Sequence, residues 1–171
     1  ASNNTAVGYQ AGYSNTTGAS VTALGYQALY SNSTSNIVTA LGAQAGYSHT
    51  SGQLVAVGAP AAYSNTTGTQ SVAVGNYAMH LNTTGSYNVA IGQDSLRSNT
   101  TADNNTAVGY QAGYTTQTGA NLTLVGYRAG FSNTAANLTA VGYGAATANT
   151  TGTRSEEHTS ELQSRGLISY A

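Results

Sequence analysis

The stretch TAVGYQAGYSNTTG, residues 5–18, returns almost unchanged as TAVGYQAGYTTQTG at residues 106–119. Both belong to a repeat that is marked by a glycine after an aliphatic residue. The marking glycines lie at positions 8, 25, 42, 58, 75, 92, 109, 126 and 142, so consecutive copies are 17 or 16 residues apart. A fixed period of this kind is typical of proteins built from stacked repeats. We therefore predict a single repeat array of about nine coils over residues 1–153.

Two columns of the repeat indicate one short β-strand per coil. The residue before each marking glycine is aliphatic, and the residue two positions earlier is β-branched. Alternate residues of a strand share one face, so the two columns face the same way. The predicted fold is all-β, a parallel β-solenoid or β-roll with coils ~4.8 Å apart. We expect the aliphatic column to form the structural core: Val7, Leu24, Leu41, Val57, Val74, Ile91, Val108, Val125 and Val141.

Small residues occupy the opposite side of the predicted strand. Alanine precedes the aliphatic residue in every copy except one, where Leu124 replaces it. Small side chains allow another backbone to approach closely, so we expect this alanine and glycine face to mediate assembly into a homotrimer. After the strand, residues 8–13 fit either a second strand or a short helical turn, because the spacing of Tyr9 and Tyr13 suits one turn of helix.

The composition excludes several classes of protein. Only 5% of the residues are charged and the net charge is −1, which argues against a nucleic-acid-binding surface. Cysteine is absent, and no apolar run has the length of a membrane span. We therefore predict no cofactor, no metal site and no membrane span in this segment.

The segments TAVGYQA (residues 5–11) and SVAVGNYA (residues 71–78) resemble the repeats of trimeric autotransporter adhesin heads and of bacterial and phage tail-fibre-like proteins. The resemblance implies a parallel β-roll, usually trimeric, that acts as a shaft or an adhesive head. We accordingly expect a non-catalytic segment of a fibre that is extracellular, on a cell surface or on a virion. A self-assembling extracellular filament is the alternative, and a solenoid that binds ice or glycans is a second one.

Two further columns are candidates for surface function. Tyrosines recur directly after the marking glycine and again four residues later, where they could stack into an aromatic ladder that supports the core or binds host or environmental glycans. Members of this predicted ladder are Tyr9, Tyr13, Tyr26, Tyr30, Tyr110, Tyr114 and Tyr127. Asparagines that begin Asn-x-Ser/Thr sequences are candidate glycosylation sites, with side-chain laddering in a turn as the structural alternative: Asn15, Asn32, Asn65, Asn82, Asn99 and Asn149.

Residues suited to catalysis are few and isolated. His49 and His80 replace the usual residues of their columns, and Asp94 and Asp103 have no partner carboxylate at a recurring position. General acid–base catalysis needs a positioned pair or base, so we predict no enzyme activity. The repeat ends before residues 154–171, which read RSEEHTSELQSRGLISYA, and the stretch RSEEHTSELQS at 154–164 matches a translated sequencing-adapter sequence. We interpret this tail, including His158, as an artefact, with a genuine capping or linker segment as the alternative, and the array as an excerpt of a longer protein.

Overall fold

The computed structural model describes residues 1–149 and the backbone of residues 155–157. These residues form one parallel sheet in which each strand pairs with the strand before it and the strand after it. The strands are β1 (Thr5–Val7), β2 (Val21–Leu24), β3 (Val38–Leu41), β4 (Leu54–Val57), β5 (Ser71–Val74), β6 (Val89–Ile91), β7 (Thr106–Val108), β8 (Thr123–Val125), β9 (Thr139–Val141) and β10 (Ser155–Glu157). Val7 pairs with Leu24 and Leu24 with Leu41, so equivalent residues lie over one another. The predicted parallel β-solenoid is confirmed.

The segment after each strand is a pair of turns. Neither the second strand nor the helical turn that we considered for residues 8–13 is present. Gln10 and Gly12 have φ angles of 53° and 60°, and residues in this left-handed region interrupt a right-handed helix. Inter-coil hydrogen bonds satisfy the turn backbone instead, such as that from Gly12 N to Ala28 O at 2.8 Å. The turns therefore stack as regularly as the strands.

The strand faces are inverted relative to our prediction. The alanine column points into the coil, with Ala23 and Ala40 fully buried, whereas the aliphatic column points outward, with Val7 55% and Leu24 48% exposed. Our assignment of the aliphatic column to the core is therefore wrong, as is the placement of the assembly surface on the alanine face. The interior is too narrow for two rows of large side chains. The larger side chains of the interior come instead from the first residue of a strand, as with Val38, and from the turns, as with Leu29.

Large and small residues alternate inside the coils. A Cβ on Gly113 would lie 2.9 Å from both Leu96 Cδ2 and Leu124 Cδ1, and one on Gly130 would lie 2.7 Å from Leu124 Cδ2. Leu124, the exception in the alanine column, therefore occupies space that the two glycines leave open. This complementarity explains how one coil holds a leucine where its neighbours hold alanine.

The marking glycines are required by the close stacking of the coils. Gly92 has a φ angle of 131°, and a Cβ at this position would lie 2.5 Å from Gly109 O in the next coil. A side chain here would meet both backbone strain and a clash. One glycine per coil thus permits the corner that follows each strand.

The parallel sheet extends one strand beyond the repeat array. Ser155 in β10 pairs with Thr139 in β9. The other residues of the 154–171 tail, including His158, lie outside the described residues. Our interpretation of the tail as an artefact stays a prediction.

Candidate functional site

A ladder of asparagine side chains runs through the interior on the turn side. Asn82 Nδ2 donates hydrogen bonds to Asn65 Oδ1 at 2.8 Å and to Gly85 O at 2.9 Å. Asn99 Nδ2 donates in turn to Asn82 Oδ1 at 2.8 Å. Each amide therefore joins its own turn to the neighbouring coil, and the column supplies polar cohesion where the apolar core is thin.

This ladder corrects the glycosylation prediction. Asn32, Asn65, Asn82 and Asn99 are fully buried, so a glycan on any of them is incompatible with the folded coil. Asn15 is half-buried and exchanges two hydrogen bonds with Gly18. Asn149 is also half-buried. The structural alternative, a turn with laddering side chains, describes Asn65, Asn82 and Asn99. Neither side-chain polar atom of Asn32 has a hydrogen-bond partner among the described residues.

His49 takes an asparagine's place in the ladder. Its Nδ1 lies 3.0 Å from Asn65 Nδ2 and its Nε2 lies 3.2 Å from Gly52 O. The amide nitrogen of Asn65 can only donate a hydrogen bond, and the carbonyl of Gly52 can only accept one. Nδ1 of His49 therefore accepts and Nε2 donates, which assigns the neutral tautomer with the proton on Nε2. Burial lowers the pKa of His49 below its usual value of 6.5, and the hydrogen bond to Gly52 opposes this only in part. The imidazole therefore acts as an interior ladder member.

The other titratable residues singled out in the sequence lie nearer the surface. His80 stacks on Tyr63, with ring centroids 5.3 Å apart. Asp94 is buried, and its Oδ1 lies 3.5 Å from Arg97 Nη1. Asp103 is exposed and accepts a hydrogen bond from Ser86 N at 2.7 Å. These side chains thus take part in stacking and in contacts between coils.

The tyrosines form stacked columns on the outside of the turns. Along the column that begins at Tyr13, planes lie within 10° of parallel and centroids 5.0–5.2 Å apart as far as Tyr63. His80 continues the stack. Arg97 then places its guanidinium 5.5 Å from the Tyr114 ring, and Tyr114 stacks on Phe131. Sequence reasoning identified His80 as a replacement of a tyrosine but missed Arg97 as a member of this column, although its alignment with the tyrosines was the available signal.

The column that begins at Tyr9 is interrupted. Tyr9 stacks on Tyr26 with centroids 5.6 Å apart, and Tyr110 stacks on Tyr127 at 5.4 Å. Tyr127 stacks on Tyr143 at 4.8 Å. Between the two stacks, four consecutive coils carry other residues in the same column: Ala43, Ala59, Asn76 and Gln93. The sequence prediction grouped the tyrosines on both sides into one ladder, whereas the structure separates them.

The outward face of the sheet combines an aliphatic column with a β-branched column that is threonine in six coils and valine in the three middle ones. Its two columns are the aliphatic residues and the β-branched residues, and none of them is charged. Ile91 is 40% exposed, Val141 43% and Val55 37%. Contiguous exposed apolar surface on a soluble protein commonly marks an interaction site. We call these two columns together the aliphatic face.

Among residues 1–149 and 155–157, no helix is long and apolar enough to cross a membrane. The same part of the chain contains no group of three or more histidine, aspartate or glutamate side chains arranged to hold a metal ion. Comparison with protein-family models, with curated proteins and with solved structures finds no match to this chain. Its function must therefore be inferred from the stacked columns themselves.

Proposed function

We propose that this chain is a non-catalytic structural and adhesive segment of a fibre that is extracellular, on a cell surface or on a virion, and that its copies associate laterally. The fold is compatible with a structural repeat protein, since equivalent residues stack from coil to coil in a single parallel sheet. Nine coils at ~4.8 Å give a rod of about 43 Å. The resemblance to adhesin-head and tail-fibre repeats supports this proposal.

The observation that carries the proposal is the exposure of the aliphatic face. A solenoid coil whose interior is mostly alanine buries little apolar area by itself, and small cores are marginally stable. One aliphatic side chain per strand, that of the residue before the marking glycine, instead points outward, in register along the rod. A second copy of this chain presents the same spacing, so the two faces can pack along their length. Homotrimerisation through this face is the assembly that we expect.

Sedimentation of the full chain tests the assembly. Val57→Asp combined with Val74→Asp places two charges in the middle of the aliphatic face, and Thr67→Asp combined with Thr84→Asp places them on exposed turn residues. We expect the unmodified chain and the turn variant to sediment as trimers, and the aliphatic-face variant as a monomer. A stably folded monomer for the unmodified chain contradicts lateral association.

Electron microscopy separates the fibre segment from the filament alternative. Discrete rods of uniform length support a fibre segment. Indefinite filaments support the self-assembling filament, because uncapped solenoid ends present strand edges that can pair with another copy.

Ice binding is the second candidate, and one observation favours it. The threonines of the β-branched column point outward on a regular sheet face, with Thr5 and Thr123 exposed. The middle coils carry valine in this column, at residues 55, 72 and 89, which favours protein association over binding to ice. A thermal-hysteresis assay decides the matter: inhibition of ice growth that Thr106→Lys abolishes supports ice binding.

A further inference from the structure

Four tyrosines stack without interruption in the column that begins at Tyr13. Tyr13, Tyr30, Tyr47 and Tyr63 belong to consecutive coils, with ring centroids 5.0–5.2 Å apart and ring planes within 10° of parallel. His80 stacks on Tyr63 in the next coil and ends the run, because it has no phenol. We call these four residues the tyrosine run. Each of its neighbouring pairs holds two phenols one coil apart.

The backbone beside the tyrosine run is held in place, whereas the rings can turn. Ser14 N donates a hydrogen bond to Tyr30 O at 3.1 Å, and Ser31 N donates to Tyr47 O at 3.0 Å, so neighbouring coils are joined next to the rings. Tyr13 is 64% exposed, and Tyr30 and Tyr47 are half-buried. The χ2 torsion of tyrosine has a broad energy well. Rotation about it turns the ring edges, which carry the two Cε carbons beside the hydroxyl, towards the next ring.

Few other side chains compete with these phenols for an oxidant. The chain has 13 tyrosines but no cysteine and no tryptophan. Its one methionine, Met79, is fully buried, and oxidation of sulfur requires access to it. An oxidant that meets the folded chain therefore acts chiefly on tyrosine.

We propose that the tyrosine run is a site of oxidative coupling, where a haem peroxidase and hydrogen peroxide join tyrosines of neighbouring coils as dityrosine. The peroxidase removes one electron and one proton from each of two phenols, and the two tyrosyl radicals form a bond between their Cε carbons. Those carbons then release their hydrogens as protons while the phenolic oxygens take up protons again. The pair thus loses two electrons and two protons, which reduce one hydrogen peroxide to two waters.

Each such link fastens one coil to the next by a covalent bond. A cross-link between positions that are distant in sequence restricts the unfolded chain, so it stabilises the folded rod. The inference goes beyond the proposed function and does not depend on lateral association, because both coupled rings belong to one chain.

Phe131 provides a comparison within the same column. Tyr114 stacks on Phe131 with centroids 5.1 Å apart and planes 5° from parallel, which is the geometry of the tyrosine run. Phenylalanine has no hydroxyl hydrogen to lose, so this pair should stay uncoupled. Phe131→Tyr should therefore create a link to Tyr114 that the unmodified chain lacks.

Two double variants separate coupling within the run from the number of phenols. Tyr30→Phe combined with Tyr63→Phe keeps all four rings but leaves the remaining phenols two coils apart, about 10 Å at ~4.8 Å per coil. Tyr77→Phe combined with Tyr87→Phe is the matched control. It removes two phenols from exposed tyrosines on which no other tyrosine stacks within residues 1–149. All of these changes retain the aromatic ring, so folding should be preserved.

The experiment treats the full chain with a haem peroxidase and hydrogen peroxide at several protein concentrations. Denaturing electrophoresis then isolates single chains, and mass spectrometry of digested peptides identifies the linked tyrosines. We expect links between neighbouring members of the tyrosine run within single chains, at a yield that does not change with protein concentration, because the coupled groups are held together. Tyr30→Phe with Tyr63→Phe should abolish these links, and the control should retain them.

Three results would overturn the inference. The tyrosine run could stay unlinked in the oxidised chain, its tyrosines could be linked only between different chains, or Phe131→Tyr could fail to gain the link to Tyr114. Circular dichroism of each variant before oxidation verifies that the fold is intact, so a missing link reports on the chemistry of the column.

Discussion

Replacement of Asn82 by alanine should destabilise the protein far more than replacement of Asn15. Asn82 is fully buried and donates to Asn65 Oδ1 and to Gly85 O. Its removal leaves both acceptors without the donor that they bond in the folded coil. A buried polar atom without a partner costs about 1–3 kcal/mol, so we expect a loss of about 2–6 kcal/mol for the two together.

Asn15 provides the matched control because it occupies the same position of the repeat but makes no hydrogen bond to a neighbouring coil. It is half-buried, and its two hydrogen bonds both go to Gly18 in its own turn. Gly18 O keeps a second donor, Asn4 Nδ2 at 2.8 Å, and water can reach the half-buried site of Asn15 to pair with Gly18 N, so Asn15→Ala should cost about 1 kcal/mol. Urea unfolding followed by circular dichroism measures both variants, provided that the slope of unfolding free energy with urea stays constant.

Native-state hydrogen exchange locates the effect. In Asn82→Ala, protection should fall first at the amides that bridge the adjoining coils, such as Thr83 N, which bonds Thr100 O at 2.8 Å. Equal destabilisation by Asn82→Ala and Asn15→Ala would refute the reasoning that the ladder is a cohesive element of the interior.

Three other perturbations probe the interior. Because burial lowers the pKa of His49, the unfolded state takes up a proton at higher pH than the folded state. The free energy of unfolding should therefore fall as pH drops below about 6.5. His49→Asn, which restores the ladder residue, should remove this dependence in urea titrations at several pH values. Gly92→Ala should lower the free energy of unfolding by more than about 3 kcal/mol, measured by thermal unfolding. Gly12→Ala is the milder comparison, because its Cβ would meet only Ala6 Cβ at 3.8 Å. It should cost about 1–2 kcal/mol because of its left-handed backbone. Leu124→Ala should cost about 2–5 kcal/mol in the same assay, since it opens a cavity against two glycines; a loss below 1 kcal/mol would show that the coil collapses around it.

The sequence predicted the path of the chain well because the path is set by repetition. The spacing of the marking glycines alone indicated that Val7, Leu24 and Leu41 would lie in one row, as they do. A single copy is too short to distinguish a strand from a turn. Copies in register remove that ambiguity, because only a structure that stacks equivalent residues satisfies all of them.

The sequence did not reveal which strand face is inside, because that depends on the width of the coil. The usual expectation buries the larger side chain of an alternating pair. Here the opposite wall of the coil already supplies bulk from residues such as Leu29 and Met79, which leaves room only for alanine. The buried asparagines were obscured for a related reason: a turn that reads as polar and exposed directs Asn65 and Asn82 inward, where they bond to one another.

The division between inner and outer columns indicates where recognition can evolve in such a rod. Inner positions are fixed by contacts on both sides, so the exception at Leu124 is accommodated by small residues at Gly113 and Gly130. Outer columns have no such constraint, and four consecutive coils have lost the tyrosine of one column while strand register is unbroken across them. Within the coil, stability is thus held by the interior, and an outer surface can be changed coil by coil without altering the path of the chain.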